Sequence, residues 1–527
     1  MVRLIPAVAV WLCASVASAF VEGNCAKSDS GLSWLAPKLS PGAAISCLGS
    51  PLQQYNAGRY WGQQYGKNAG VVVFPLTSQD VSYAVQAAAL SPLGVNFAFV
   101  SGAHSMTNAS SSTGFVIDLS WMNSTQVLQN VKVSDTTIGT AVAYQGGAKW
   151  ADVNAATAGS GYCAVGARVG NVGVGGFTTG GGIGFLAGPY GYAVDRLAAA
   201  EVVLMSGQIV NATKTNQYSD LFWALQGGGG QFGIVTKFYQ RAAREPTLSQ
   251  VTVWVVDNST AALSRQNTVN WFNNNNDPYS LVYWALAYVQ SGLTEGDYGI
   301  QNVVVGVQFG DPTSTTQADF NTTFTPLING LNITASATYT LPFAYLTQII
   351  DPFFPYGFRR GFYGPQTTKI TTDYLAAITL EYNNYINSQL ANNDFPASAL
   401  WALQYMYPGL NGNLPSSDSA TAWPHSVSAH QTLFSPAWSS ASDDALVNNN
   451  NNIFNQITYK FQQANGAAIA DYPNYISPSD AGNKVWGSNV ARLILIKTKY
   501  DPLCRINQGR VFASPSCLLK GAGNIFP

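Results

Sequence analysis

Apolar residues between positions 70 and 240 occur in short runs, separated by polar turns and interrupted by stretches of helical spacing. Short apolar runs bounded by glycine, proline or asparagine are typical of buried strands. On this basis strands are predicted at 70–75, 95–100, 114–119, 130–134, 137–144, 200–204, 208–211 and 234–240. Apolar positions three or four apart predict helices at 78–90, with Ser78 as N-cap, at 148–158 and at 218–225. The order of these elements predicts an α+β unit.

From about residue 246 the pattern changes to alternation at every second position. Runs rich in β-branched and aromatic residues (VTVWVV, LVYWALAYV, NVVVGVQFG and LWALQYMYP) are separated by Asn- and Ser-rich segments of helical spacing. Such alternation predicts an antiparallel sheet with helices on one face. The asparagine runs at 273–276 and 448–452 are expected in exposed helix or loop.

Length and composition limit the number of domains and the kind of partner. A chain of 527 residues is long for one core, so two domains, or one domain interrupted by another, are expected. Charged residues make up only 10% of the chain, and the formal net charge is −1. A nearly neutral chain argues against nucleic acid and against an anionic membrane as partners. We expect a monomer that acts on a small molecule.

The N-terminus has the features of a secretory signal peptide. Residues 1–19 combine one arginine, an apolar stretch and a small-residue end, which predicts cleavage after Ala19. A membrane anchor is the alternative, and the shortness of the run argues against it. The protein is therefore expected to be secreted and extracellular.

N-glycosylation motifs fit that location. They occur at Asn108, Asn123, Asn211, Asn258, Asn321 and Asn332. Asn108 lies four residues after His104, in a candidate binding loop, so only the other five are predicted to carry glycans.

Removal of the signal peptide leaves five cysteines. Their spacing favours Cys25–Cys47 and Cys504–Cys517 as local disulfides, each closing a terminal segment. Cys163 is then the unpaired one and is expected to be buried, although sequence alone leaves the connectivity open.

Two segments carry the most informative pattern of the chain. Residues 101–105 (SGAHS) follow a predicted buried strand and expose backbone N–H groups, and such a nest binds phosphate oxygens. Six of the ten residues 173–182 are glycine, which indicates close approach of the backbone to another group. Together the two segments predict a large, flat, phosphate-bearing cofactor with one histidine beside it.

Two common nucleotide-binding motifs do not fit the second segment. A Rossmann fingerprint needs a third glycine where GVGGFT carries Thr178, and it needs a strand-turn-helix frame that the pattern does not predict. No lysine stands in the Walker position after any glycine run. NAD and ATP are therefore disfavoured as cofactors.

Five segments occur in an order that points to one family. They are SGAHS at 101–105 with the strand end IDLSWM, VGVGGFTTGGG at 172–182, LFWALQGGGGQFGIVT at 221–236, YPNY at 472–475 and WGSNVARLILIKTKYDP at 486–502. This set resembles the FAD-linked oxidases of the vanillyl-alcohol-oxidase type, in the branch that includes the berberine-bridge enzymes and fungal oligosaccharide oxidases.

The resemblance implies FAD as cofactor and an α+β architecture. A PCMH-type FAD-binding domain of two subdomains would be joined to a substrate domain whose antiparallel sheet is covered by helices. The implied division is a signal peptide at 1–19, a lead-in at 20–68, the FAD-binding domain at 69–245, the substrate domain at 246–455 and a berberine-bridge-like return to the FAD domain at 456–527.

The resemblance also assigns roles to single residues. In the family the position of His104 is bonded covalently to the flavin, and we expect that bond here. Many relatives attach the flavin a second time through a cysteine where this chain has Val169; Cys163 does not match, so one bond is expected. The other implied FAD contacts are Ser101, Gly102, Ala103, Ser105, Gly173, Gly175, Gly176, Thr179, Gly180, Gly181, Gly184, Val203, Gly233, Ile234, Asn474 and Asn489. For the segment 226–236 a plain hairpin is the alternative interpretation.

Tyr472 and Tyr475 are the candidate catalytic residues. Tyr472 and Asn474 match the family's Tyr-x-Asn element, and Tyr475 stands where some members use a tyrosinate to deprotonate the substrate alcohol. Residues 477–480 depart from the usual pattern, which carries an acid there. The base therefore stays open between Tyr475 and another residue, with a purely structural Tyr475 as the alternative.

A phenol with a pKa of about 10 needs a cationic or hydrogen-bonding neighbour to act as a base at neutral pH. Arg359, Arg360 and Lys369 lie in the predicted substrate domain, but none can be assigned from sequence. His425 and His430 could line the substrate pocket, although hydrogen-bonded structural histidines are the favoured interpretation. No metal is expected, because no acidic or cysteine cluster accompanies them.

Three functions remain open from the sequence. We favour a secreted FAD oxidase that takes hydride from an alcohol, phenolic or sugar-type substrate and reduces O₂ to H₂O₂. A secondary-metabolite oxidoreductase performing oxidative cyclisation is the second. A non-catalytic glycan-binding protein on a degenerate flavoprotein scaffold is the third, and the intact His104 loop argues against it.

Overall fold

The computed structural model describes residues 19–290, 298–391, 398–467, 469–476, 482–521 and 525–526. The signal peptide predicted at 1–19 lies outside these residues except for Ala19, and so does the departure from the acidic pattern at 477–480. Helices and strands are mixed, as the α+β prediction requires. Within the described residues, two five-stranded sheets precede one sheet of eight strands in the chain.

The first subdomain is built on a sheet whose valine-rich central strands are buried on both faces. In spatial order its strands are Phe20–Glu22, Ala44–Cys47, Val71–Phe74, Phe115–Asp118 and Phe97–Val100. The last three are parallel, and buried parallel strands have continuous apolar runs rather than alternation. Its helices are Cys25–Ser28, Ser30–Leu35, Pro51–Gly58 and Ser78–Leu90.

The helix Ser78–Leu90 is capped by Thr77 and not by Ser78 as predicted. The Thr77 hydroxyl accepts the backbone N–H of Asp80 at 3.1 Å, and the Asp80 carboxylate accepts the N–H of Thr77 at 3.0 Å. This reciprocal capping box explains the choice, because it satisfies two backbone donors at once. The strand predicted from residue 95 begins at Phe97, since Pro92–Val95 forms a 3₁₀ turn.

The second subdomain contains an antiparallel sheet. In spatial order its strands are Ile209–Thr213, Leu197–Val203, Ile234–Arg241, Thr136–Gln145 and Thr125–Val133. Its helices are Trp150–Thr157, Val174–Thr179, Ala187–Tyr190, Ala193–Arg196 and Ser219–Leu225. The predicted hairpin is present, because Val203 pairs with Ile209 on either side of the turn.

The third region holds an antiparallel sheet of eight strands in the described part of the chain, called the large sheet below. In spatial order its strands are Ile333–Leu341, Ser249–Val256, Tyr298–Phe309, Ser280–Gln290, Ser398–Gln404, His430–Trp438 and Arg359–Arg360, with Gln366–Thr367 also paired to His430–Trp438. The helices of this region are Ala261–Asn274, Phe320–Ile328, Thr372–Ala391 and Asp444–Ala464. Trp284, Trp401 and Tyr382 are fully buried in the core between them and one face of the sheet. The alternation in the sequence correctly predicts this arrangement.

The expectation that the asparagine run 448–452 is exposed is wrong at two positions. Asn450 and Asn451 are buried within the helix Asp444–Ala464. The Asn450 amide is satisfied there, because it donates to the carbonyl of Leu446 at 2.9 Å. Burial of an amide that has a hydrogen-bond partner costs little free energy, so the polar composition of this run does not show which of its residues are exposed.

The C-terminal segment packs back onto the second subdomain. The helix Val490–Tyr500 places Leu493 and Ile496 in the core that also contains Leu221 and Val235. The remaining elements are the helices Gly482–Trp486 and Pro515–Leu519 and the paired strands Val511–Phe512 and Ile525–Phe526. The domain boundaries at 69, 245 and 455 stay predictions.

Disulfides join Cys25 to Cys47 and Cys504 to Cys517, as the spacing predicts. Cys163 is free and buried, which was also predicted. Across the described ranges, no helix has the length and apolar character needed to cross a membrane.

Candidate active site

A cavity of about 1090 Å³ lies where the first two subdomains meet the large sheet. Its volume is at the upper end of the range for ligand pockets, about 300–1,000 Å³. The predicted site residues that line it are Ser101, Gly102, Ala103, His104, Ser105, Gly173, Gly175, Gly176, Thr179, Gly180, Gly233, Tyr472, Asn474 and Tyr475. Residues far apart in sequence are thus brought to one site.

The loop 101–105 crosses the second glycine segment at the cavity wall. Ala103 has a φ of 58°, in the left-handed region that residues with a side chain rarely adopt. A Cβ on Gly102 would lie 2.1 Å from the backbone nitrogen of Gly173, and the reverse distance is also 2.1 Å. Both crossing positions therefore require glycine.

Arg59 supports this loop from the protein side. Its guanidinium donates to the carbonyl of Ser101 and lies 2.9 Å from a carboxylate oxygen of Asp118. Both charged side chains are almost completely buried, at 8% and 0% exposure. Separating the two buried charges would leave each uncompensated, so Arg59 stays beside Asp118. From that position its hydrogen bond to Ser101 holds the loop.

His104 lies in an aromatic enclosure at the edge of the cavity. Trp61 stacks on its ring, with centroids 5.2 Å apart and planes inclined by 8°. The His104 Nε2 atom lies 3.1 Å from the Tyr356 hydroxyl. Burial, helped by nearby cations of which Lys149 contributes most, lowers the pKa of His104 to about 3. The imidazole is therefore neutral at neutral pH.

The glycine segments leave their backbone open to the cavity. A Cβ at Gly176 or at Gly229 would meet no protein atom within 4 Å. The N–H of Gly229 donates to the carbonyl of Thr179 at 3.0 Å. This bond joins the glycines of the segment 221–236, called the third glycine segment below, to the second glycine segment. A flat, phosphate-bearing ligand fits this cradle, since backbone groups can approach it without obstruction by side chains.

The position at which relatives form a second flavin bond has no nucleophile here. Val169 lines the cavity, whereas the Cys163 thiol is buried and is not part of the lining. Burial raises the pKa of Cys163, which keeps it as an unreactive thiol. Single attachment through His104 stays the prediction.

Tyr472 is an anchor for the second glycine segment. Its hydroxyl oxygen receives the backbone N–H groups of Gly182 and Ile183 at 3.1 and 3.0 Å. It also receives the Asn474 amide at 2.9 Å, and burial raises its pKa to about 12. An oxygen that already accepts three hydrogen bonds is poorly placed to accept a proton from a substrate.

Tyr475 has a different environment, with a cation at its hydroxyl. The guanidinium of Arg168 donates a hydrogen bond to the phenol oxygen. The same guanidinium lies 5.8 Å from the ring centroid of Tyr283. Burial raises the pKa of Tyr475, and the charge of Arg168 opposes that rise. Tyr475 therefore has the cationic neighbour that a tyrosine base requires.

The cations considered from sequence lie elsewhere. Arg359 pairs with Asp444, and Arg360 lies over Trp61, 5.0 Å from the ring. Neither they nor Lys369 line the cavity. Arg168 was missed because it stands just before the second glycine segment and not in the substrate domain. The available signal was its charge, which is isolated in the small and apolar run GARVGNVG.

Some predicted FAD contacts lie one layer behind the cavity wall. They are Gly181, Gly184, Val203, Ile234 and Asn489, none of which is among the lining residues. The two glycines pack against protein, since a Cβ on them would clash with Trp423 and with Gly166 respectively. The Asn489 amide donates to three carbonyls in the segment 418–422 and so holds that loop.

His425 and His430 are structural, as the favoured interpretation holds. His425 lies 2.8 Å from the Asp195 carboxylate through Nε2, and His430 accepts the N–H of Met406 through Nδ1 at 3.1 Å. Neither lines the cavity. Burial lowers the pKa of His430 to about 4.

Two parts of the chain match known families. Residues 69–213, which include the His104 loop and the second glycine segment, match a family described as FAD binding domain. This part of the chain is an FAD binding domain. Residues 459–504, which include Tyr475, match a family described as berberine and berberine like. The family resemblance drawn from the sequence is thereby confirmed, and FAD is the cofactor of the domain.

A curated relative matches part of the chain. The FAD-linked oxidoreductase pgmH of Aspergillus terreus is 38% identical over 194 residues, which is 37% of this chain and 37% of that protein. The match thus spans little more than a third of the relative.

Solved structures match over a greater length at lower identity. A chitooligosaccharide oxidase has a TM-score of 0.68 at 20% identity and covers 92% of this chain and 98% of its own. A Physcomitrella patens BBE-like 1 protein has a TM-score of 0.72 at 18% identity, with coverages of 90% and 97%. The chain therefore shares the fold of these proteins over most of its length.

Proposed function

We propose that the protein is a secreted FAD-dependent oxidase, acting on a CH–OH group. The carbon would lose a hydride and the hydroxyl a proton, giving a carbonyl, and O₂ would take up both electrons and both protons as H₂O₂. The observation that supports this most is the sharing of one cavity by the His104 loop and the Tyr475–Arg168 pair. A site for an electron acceptor next to a proton acceptor is what oxidation of an alcohol needs.

FAD, when bound, supplies a two-electron acceptor. The loop 101–105 and the glycine segments would hold it, with the open backbone at Gly176 and Gly229 against its surface. His104 would carry the single covalent bond. Its imidazole is neutral and therefore has the lone pair that bonding to carbon requires.

Tyr475 is proposed as the base that takes the hydroxyl proton. The Arg168 hydrogen bond stabilises the phenolate form, because a positive donor favours the charged state of its acceptor. Tyr472 and Asn474 would hold the second glycine segment, and thereby the plane of the cofactor, at a fixed distance from Tyr475.

The first test concerns the cofactor. Protein secreted from a fungal host is denatured in acid and freed of unbound flavin, and its visible absorbance and intact mass are recorded. We expect a yellow polypeptide that is heavier by one FAD, and no retained colour in His104→Ala. Colour that washes away from the wild type would remove the covalent bond from the proposal. A native protein without colour would overturn the oxidase and favour the non-catalytic alternative.

The second test concerns the base. Alcohols that reduce the flavin are assayed for H₂O₂ release with wild type and Tyr475→Phe. General base catalysis contributes about 10²–10⁴-fold, so the variant should lose activity on that order while it keeps its colour. Equal rates in both proteins would remove Tyr475 from the mechanism and favour oxidative cyclisation.

A further inference from the structure

One wall of the cavity is a row of small aliphatic side chains that crosses six strands of the large sheet. The strand register pairs each member with the next across neighbouring strands. In spatial order the row is Ala335, Val255, Val303, Ala285, Ala402 and Leu433, and all six line the cavity. Five interstrand steps of about 4.8 Å give the row a length of about 24 Å.

The row runs from an exposed edge of the large sheet to its buried centre. Ala335 lies on an edge strand whose side chains are mostly exposed, whereas Ala285 and Ala402 are buried at the centre. None of these six side chains has a hydrogen-bond donor or acceptor. A ligand group lying on the row therefore loses its water without receiving a hydrogen bond in return.

The two neighbouring rows carry polar side chains. On one side Val253 and Val305 lead to Tyr283, whose ring faces Arg168. On the other side Gln301 and Ser435 stand at the two ends of a row whose middle is apolar. The wall thus offers hydrogen bonds at its margins and an apolar strip between them.

This distribution discriminates between the substrate classes that the proposed function leaves open. A carbohydrate carries a hydroxyl on almost every carbon, and each buried hydroxyl without a partner weakens binding because it loses its water without compensation. A fused aromatic system places only carbon and hydrogen on the strip and gains from burial of that surface.

We infer that the substrate is a planar, mostly apolar aromatic compound, which lies along this row with its hydroxyl at Tyr475 and Arg168, and not an oligosaccharide. The inference rests on the proposed function for the reaction and on the row for the ligand class.

The test is a binding series measured by calorimetry on the holoenzyme. The probes are benzyl alcohol, 2-naphthalenemethanol and 2-anthracenemethanol, with cellobiose as the carbohydrate. Each added ring should tighten binding about fivefold, which corresponds to the extra apolar surface buried, and cellobiose should be the weakest of the four. Affinity that does not depend on ring number, or cellobiose as the tightest ligand, would overturn the inference.

Variants test whether the ligand contacts the row. Val303→Thr keeps the volume and replaces one methyl group by a hydroxyl, and should weaken 2-naphthalenemethanol about fivefold. Val255→Thr, at the neighbouring position, serves if Val303→Thr does not fold. Val427→Thr, at an exposed position, is the matched control and should bind as wild type does. Unchanged affinity in folded Val303→Thr and Val255→Thr would show that the row does not contact the ligand.

Failure of the inference and failure of the proposed function give different results. Flavin that is reduced by cellobiose but not by 2-naphthalenemethanol would keep the oxidase and overturn the aromatic substrate. A protein without flavin that still binds the probes in order of ring number would keep the ligand class and overturn the oxidase.

Discussion

Arg168 is the residue on which the chemistry of the cavity depends most. It reaches Tyr475 from the residues just before the second glycine segment, so a hydrogen bond joins this part of the cavity wall to the proposed base. Burial of Tyr475 raises its pKa, and the guanidinium charge is the effect that opposes it. The phenolate is the form that accepts a proton, so the rate should rise as the pH increases through this pKa.

Removal of the Arg168 charge should move that rise to higher pH. In Arg168→Met the pKa of Tyr475 loses the charge that lowers it, and we expect the pH profile to shift upward. The measurement is the pH profile of the rate at which an alcohol substrate bleaches the flavin. Arg168→Lys keeps the charge and should restore part of the profile. A uniform loss of rate at every pH in Arg168→Met would indicate a structural role instead.

At the scale of elements, the helix Val490–Tyr500 is held to the FAD binding domain by a buried lysine. The Lys497 ammonium donates to the carbonyls of Gln231 and Ile506, both at 2.9 Å, and lies 2.7 Å from the Asp501 carboxylate. Lys497 and Asp501 are both completely buried. The third glycine segment and the C-terminal return are therefore joined through one cation.

Replacement of this lysine should destabilise the whole protein. Lys497→Met leaves the Asp501 charge without its cation, and we expect a loss of about 3–5 kcal/mol in the free energy of unfolding. Urea unfolding followed by tryptophan fluorescence measures it. The matched control is Lys499→Met, which breaks the exposed pair with Asp220 and should cost no more than about 1 kcal/mol. Similar losses in the two variants would show that the buried pair stabilises the protein no more than the exposed pair does.

The elements themselves were largely predictable, because their signals are local. The helix at 78–90, the hairpin that includes Val203 and Ile209, and the alternating strands of the large sheet follow from spacing within a few residues. The site was predictable only in part. Arg168 and Tyr475 are 307 positions apart, and no local pattern predicts a contact over that distance. The same holds for Tyr356 at His104, where the partner comes from a different region of the chain.

At the scale of the whole molecule, a count of reactive thiols tests both the disulfides and the predicted removal of the signal peptide. The disulfides use four cysteines, Cys163 is buried, and Cys13 is the sixth. We expect no thiol to react with a thiol reagent in the native secreted protein and one per chain after denaturation without reductant. Two thiols after denaturation would mean that Cys13 is retained, and therefore that the predicted signal peptide is not removed.

The two faces of the large sheet have different roles, since one lines the cavity and the other packs against the helices. Val303 and Val305 face the cavity, whereas Val304, between them, is completely buried in the core under the helices. Ala285 likewise faces the cavity between Trp284 and Leu286, which belong to the core. Alternate positions along the same strands are therefore under different selective constraints. Mutations at one set can alter what is bound while the other set preserves the fold, so a lineage of such proteins can acquire new substrates without first losing its stability.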